Sequence, residues 1–132
     1  MTLQEIIWEA HARLGNAAFY YAAIMTLWGF WRILKKRAVD SNYWGAIVIA
    51  EILILLQGAL GVYLYFFSEF RLARQVHILY GIVSALVLPA AFAYTRGNQE
   101  RRDMIIYGAV FLILTVLTAR ALMTAGMVIV IE

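Results

Sequence analysis

Long apolar runs alternate along this chain with short polar breaks. Four runs reach the length needed to cross a bilayer and predict helices over about 6–34, 43–67, 73–94 and 104–131. The breaks are a basic stretch, Lys35-Lys36-Arg37, ending in Asp40-Ser41-Asn42, a turn Ser68-Glu69-Phe70-Arg71, and a polar loop over 95–103. Such short connections predict antiparallel neighbours. The expected fold is all-α: one transmembrane up-down-up-down four-helix bundle, a single integral membrane domain over 1–132. The first helix is longer than a bilayer requires, with Trp28 and Trp31 placed as interfacial belt residues, and Pro89 predicts a kink in the third.

Composition sharpens this picture. The chain is 64% hydrophobic and 14% charged, against about 25% charged for an ordinary soluble domain. It has no cysteine, which excludes a disulfide scaffold, a cysteine-ligated iron–sulfur cluster and covalently attached c-type haem. The net charge of +3 is no sign of nucleic acid, because the basic residues stand at membrane borders. The opening Met-Thr-Leu-Gln-Glu lacks the basic region of a secretory signal and reads as the start of the mature protein.

Basic residues also orient the bundle. Seven of the eleven Lys and Arg lie at the first and third connections; Arg13, Arg71, Arg74 and Arg120 lie at the other end. Positive loops stay in the cytoplasm, so both termini are expected on the extracytoplasmic side of a multi-pass inner (plasma) membrane protein.

The chain has two histidines, in matching frames: His11-Ala-Arg-Leu-Gly15 and His77-Ile-Leu-Tyr-Gly81. Each has glycine four residues on and a small residue seven on, Ala18 and Ser84, so each tops a helical stripe with little side chain below it. Topology puts both at the extracytoplasmic end of the first and third helices, which face each other diagonally across a four-helix bundle. Two imidazoles over a flat, bare face suit a planar metal macrocycle held between helices, and neutral imidazole is a common axial ligand of haem iron. A plainer reading makes each histidine a bundle-lining polar residue, with the glycines serving close helix packing.

Arg13, Arg74 and Arg120 fall near the same level and are expected to pair with carboxylates of a bound macrocycle, since guanidinium binds carboxylate bidentately. Arg71 and Arg74 also suit snorkelling to lipid headgroups. Glu51 and Gln57, inside the second helix, are expected to turn inward and bond to another helix, with Tyr107, Thr26 or Asn16 as partners. No nucleophile–base pair, phosphate-cradling glycine loop or carboxylate dyad is present.

Several segments resemble one four-helix half of haem A synthase and, more loosely, the bis-histidine membrane cytochromes. They are His11-Ala-Arg-Leu-Gly15, Leu55-Leu56-Gln57-Gly58-Ala59-Leu60-Gly61, Gln75-Val76-His77 and the arginine-bearing end of helix four, Leu117 to Gly126. The resemblance implies histidine ligands on the first and third helices near the extracytoplasmic side. Glu9 stands two residues before His11, where the family's glutamate stands three before, about 100° away around a helix. The resemblance therefore rests on the haem-holding half, while the glutamate that goes with haem hydroxylation is displaced.

The functional expectation is a non-covalent haem b held by His11 and His77, with Arg13, Gly15, Arg74, Gly81 and Arg120 completing the site. Such a protein would transfer electrons or hold haem within a membrane redox complex. Its partners would be lipid, other redox subunits or further copies of itself, and a quinone. Two alternatives stand beside it: a one-bundle haem A synthase-like enzyme acting as a homo-oligomer, and a non-catalytic scaffold subunit of a respiratory or photosynthetic complex, with a histidine on chlorophyll magnesium.

Overall fold

A computed structural model describes residues 1–72 and 74–129, the last three as backbone. It contains helices α1 (Leu3–Leu34), α2 (Ser41–Phe67), α3 (Val76–Thr95) and α4 (Arg101–Met123), with short strands β1 (Phe70–Leu72) and β2 (Met127–Ile129). Helix starts follow their capping residues. Thr2 and Glu5 form a reciprocal capping box on α1. Asp40 Oδ1 accepts the Tyr43 N–H at 2.8 Å to open α2. Asp103 Oδ2 takes the Glu100 N–H at 2.9 Å to open α4. The ends of α1 and α3 turn out through left-handed residues, Lys36 and then Arg96 followed by Gly97.

The fourth helix departs from expectation. It ends at Met123 and does not run on to about 131. Thr124 closes it: its hydroxyl donates to the Arg120 carbonyl at 2.9 Å, as does its backbone N–H at 3.1 Å. Beyond Gly126, β-branched Val128 and Ile129 favour extended chain. There β2 pairs antiparallel with β1, Phe70 opposite Ile129 and Leu72 opposite Met127. The expected third helix begins at residue 73 and the fourth covers 130–131; these positions lie outside the described residues.

α1 packs on α2 and α4, and α3 packs on α4 and, sparsely, on α2. Among the described residues, α2, α3 and α4 are long and apolar enough to cross a membrane. α1 has the length, at 32 residues, but its first half carries Glu5, Glu9, His11, Arg13 and Asn16. Composition therefore supports three spans where four were expected. Large apolar side chains point outward all round the bundle, as with Leu27 at 71% exposure and Phe66 at 68%. This surface suits lipid and would be a liability in water.

The dense core lies at the end of the bundle next to the basic loops. Tyr43, Met104, Tyr107 and Phe111 are completely buried there, and the Tyr43 ring stands edge-on to Trp28 and Phe111 at centroid distances of 4.9 and 6.2 Å. The α1–α4 crossing is closest at Gly29 and Gly108. A Cβ added at Gly29 would come 3.2 Å from the Gly108 Cα and 2.8 Å from Tyr43 Oη. Arg32 is buried at the same end between Trp28 and Tyr43, with Asp40 Oδ2 3.1 Å from its guanidinium and the Ala38 carbonyl accepting a further hydrogen bond.

Candidate functional site

At the opposite end the two histidines meet. His11 lies in the third turn of α1 and His77 in the first turn of α3. Their ring centroids are 6.1 Å apart and the ring planes stand at 80°. Each ring is held from behind by a different helix. His11 Nδ1 is 3.0 Å from the Gln57 carbonyl of α2, and His77 Nδ1 is 2.8 Å from the Ala121 carbonyl of α4. A carbonyl only accepts, so in both rings Nδ1–H is the donor and Nε2 is left out of that bond.

Local structure explains both anchors. A helical carbonyl points toward the residue four further on, which for Gln57 is Gly61. A Cβ there would come 2.9 Å from His11 Cε1, so glycine is what lets the ring reach the carbonyl. The Ala121 carbonyl belongs to the last turn of α4, where it also accepts the Thr124 N–H at 3.3 Å and the Thr124 hydroxyl at 3.2 Å. His77 adds a bond to it from another helix, with Thr124 Oγ1 a second neighbour of the same nitrogen at 3.4 Å.

Two cavities adjoin the pair. A small one, about 100 Å³, lies inside the bundle against Gly15, Ala18, Ser84 and Thr118. A large one, about 720 Å³, lies between α2 and α3 and is lined by Tyr65, Arg71, Gln75 and Ile82 among others. His11, Gly58, His77 and Gly81 line both. A Cβ added at Gly58 or Gly81 would meet nothing within 4 Å, so these glycines leave room and are not packed. The larger volume falls within the roughly 300–1,000 Å³ usual for small-molecule sites.

Of the expected site residues, His11, His77, Gly15 and Gly81 converge on these cavities. The three arginines do not line them. Arg13 is paired with Glu9 one turn earlier, its side chain 79% exposed. Arg74 is exposed ahead of α3. Arg120 lies over the Tyr80 ring, 5.7 Å from its centroid. Arg71 is the arginine that lines the large cavity, together with Gln75. In the sequence Arg71 reads as a turn residue suited to snorkelling, and Gln75 as part of the Gln75-Val76-His77 segment; that the α2–α3 connection passes over the cavity appears only in three dimensions.

The expected partners of Glu51 and Gln57 are engaged elsewhere. The Tyr107 hydroxyl meets Thr95 Oγ1 at 3.3 Å, Thr26 bonds to the Ala22 carbonyl and Thr115, and Asn16 donates to the Ala12 carbonyl. Glu51 Oε2 and Gln57 Oε1 are buried with no hydrogen-bond partner among the described residues. Gln57 does turn inward: its amide nitrogen lies 3.0 Å from where a Gly15 Cβ would be. Among the described residues no group of three or more His, Cys, Asp or Glu side chains gathers as a metal site.

Fold and exposure together define a helical-bundle membrane protein. No family model, curated protein or solved structure matches this chain.

Proposed function

We propose that this chain is a haem b-binding integral membrane protein in which His11 and His77 ligate one iron, serving electron transfer or haem holding in a membrane redox complex. The observation that carries this reading is the 6.1 Å separation of the two ring centroids. Two metal–nitrogen bonds of about 2.0–2.1 Å, plus the distance from each nitrogen to its ring centre, come to about 6 Å. The orientation of the rings adds support. Metal-binding histidines usually give their second N–H to a carbonyl or carboxylate, which fixes the tautomer and raises the basicity of the ligating nitrogen. Both histidines here do so.

The remaining residues fit a flat ligand. Gly58 and Gly81 face open space beside the pair, and Gly15, Ala18 and Ser84 keep the inner side free of bulk. Bound haem would supply a one-electron iron couple. His11 and His77 would both hold the group, and a group held by two protein ligands would serve electron transfer rather than oxygen chemistry. Glu9, one residue away from the position of the family's glutamate, is engaged with Arg13.

The same reading takes the bundle as up-down-up-down, with both termini extracytoplasmic. Its support is the basic first and third connections and the helix ends that meet: Tyr43 at the start of α2 donates to Met25 toward the end of α1, and His11 near the start of α1 bonds to Gln57 toward the end of α2. The protein would reside in the inner (plasma) membrane beside redox partner subunits or copies of itself, with a quinone as a candidate partner.

The test is the visible absorption spectrum of the purified protein, oxidised and reduced. A sharp reduced α-band of bis-imidazole haem is expected, abolished by either His11→Ala or His77→Ala. A colourless, folded protein from haem-replete cells overturns the reading. Histidine variants that each remove part of a pigment signal independently would point instead to a one-histidine ligand such as a chlorophyll.

A further inference from the structure

We propose that Arg71 is the anchor for the acid group of the ligand, so that the macrocycle of the histidine site sits with its carboxylate-bearing edge in the cavity between α2 and α3. The inference rests on the reading of His11 and His77 as metal ligands and adds which way the ligand faces and what holds it.

Arg71, Gln75 and both histidines line one cavity of about 720 Å³. The guanidinium is already fixed there by one nitrogen: Nη1 donates to the Ser68 carbonyl at 2.6 Å and to the Phe70 carbonyl at 2.9 Å. Those bonds leave the Nε–Nη2 edge, with its two parallel N–H groups, without a hydrogen bond among the described residues. That edge matches the two oxygens of a carboxylate. No carboxylate among the described residues forms an ion pair with Arg71; the two ion pairs recorded are Arg13–Glu9 and Arg32–Asp40. The backbone of Arg71 is also held, because β1 is paired to β2 with Arg71 opposite Val128. The position is therefore preorganised.

The rest of the cavity is of the opposite character. Leu55, Val62, Phe66 and Ile82 line it and are more than half exposed on the outer surface of the bundle. It thus opens sideways between α2 and α3, apolar along its length, with one cation at the end near the helix connection. An amphipathic ring with acid groups on one edge has the same distribution. Arg13, Arg74 and Arg120 line neither cavity and are not the anchor.

The test loads the full-length protein in detergent with haem b and with its dimethyl ester, which lacks the free acids, and follows the visible spectrum and the rate of haem loss to a scavenger. Haem b is expected to leave Arg71→Gln about 10- to 100-fold faster than wild type, the range for one charge-assisted contact. The bis-imidazole spectrum should not change. The diester is expected to leave the wild-type chain and Arg71→Gln equally fast, and Arg120→Gln should behave as wild type. If Arg71→Gln does not fold, the acid-against-ester comparison on the wild-type chain decides. Equal loss of acid and ester from wild type overturns the anchor while leaving the histidine pair in place. Failure of wild type to bind haem b at all overturns the histidine reading, and the anchor with it.

Discussion

The two ends of this bundle use small residues in opposite ways. At the basic-loop end, Gly29 and Gly108 let α1 and α4 approach until the Gly108 Cα lies 3.2 Å from where a Gly29 Cβ would be. Fully buried Tyr43, Tyr107 and Phe111 fill the space around that crossing. At the histidine end, Gly58 and Gly81 adjoin open volume, and the helices are held apart along a cavity of about 720 Å³. A glycine on a membrane helix is thus no evidence for tight packing or for a ligand until its neighbours are known. The packed end carries the stability, and that leaves the other end free to keep a cavity, which forfeits dispersion contacts along its lining.

The largest effect should come from removing bulk at the packed end. Phe111→Ala is expected to cost about 3–5 kcal/mol, read as a lower unfolding midpoint in detergent. A loss below about 1 kcal/mol would mean that the aromatic cluster is not where stability resides. Gly61→Ala attacks the histidine end. A Cβ only 2.9 Å from His11 Cε1 must turn the ring off the Gln57 carbonyl. Ligand affinity is expected to fall about 10- to 100-fold, measured by titration, with little change in thermal unfolding. Unchanged affinity would detach that anchor from the function.

A matched pair of glycine substitutions compares the two ends directly. Gly29→Ala should destabilise by about 1–3 kcal/mol, since backbone stands in the way. Gly81→Ala should be neutral or stabilising by up to about 1 kcal/mol in the ligand-free protein. The same unfolding assay reads both, and equal effects would erase the distinction between packed and open glycines.

The smallest effect concerns the α1–α2 connection. The Tyr43 backbone N–H, and then the Arg32 guanidinium, hold the Asp40 carboxyl below its ordinary value. A lowered native pKa means that this contribution is fully present above the unfolded value of about 3.9 and is lost as pH falls through the native value. Asp40→Ala is expected to cost about 1 kcal/mol at neutral pH through loss of the helix cap. As pH falls below the unfolded value of about 3.9 the difference from wild type should begin to shrink, as followed by unfolding midpoints from about pH 7 down to about pH 2. A difference that grows on acidification would contradict the assigned cause.

Much of the architecture was legible in the residues. Runs of apolar side chains bounded by Asp40, Ser68 and the loop over 95–103 located all four helices to within a few residues at most ends. The matched histidine frames identified the two side chains that face each other. Less legible was the end of α4, where Gly126 and a β-branched run outweighed continued hydrophobicity. The choice among arginines was not legible either. Arg13, Arg71, Arg74 and Arg120 share one end of the bundle, and linear spacing does not say which of them a connecting strand carries over a cavity. Gly29 lies on the same stripe as Gly15, yet it serves the α1–α4 crossing while Gly15 lines the inner cavity.

By itself, the amino-acid sequence determined that the chain forms apolar helices with polar ends, because helix formation and lipid compatibility are local properties of each run. It also determined the frames that bring each histidine to one end of its helix. Which glycines close a gap and which leave one open was decided only when the helices packed. So were the carbonyls that orient the imidazoles and the arginine that reaches the cavity, because each depends on distances between segments far apart in the chain.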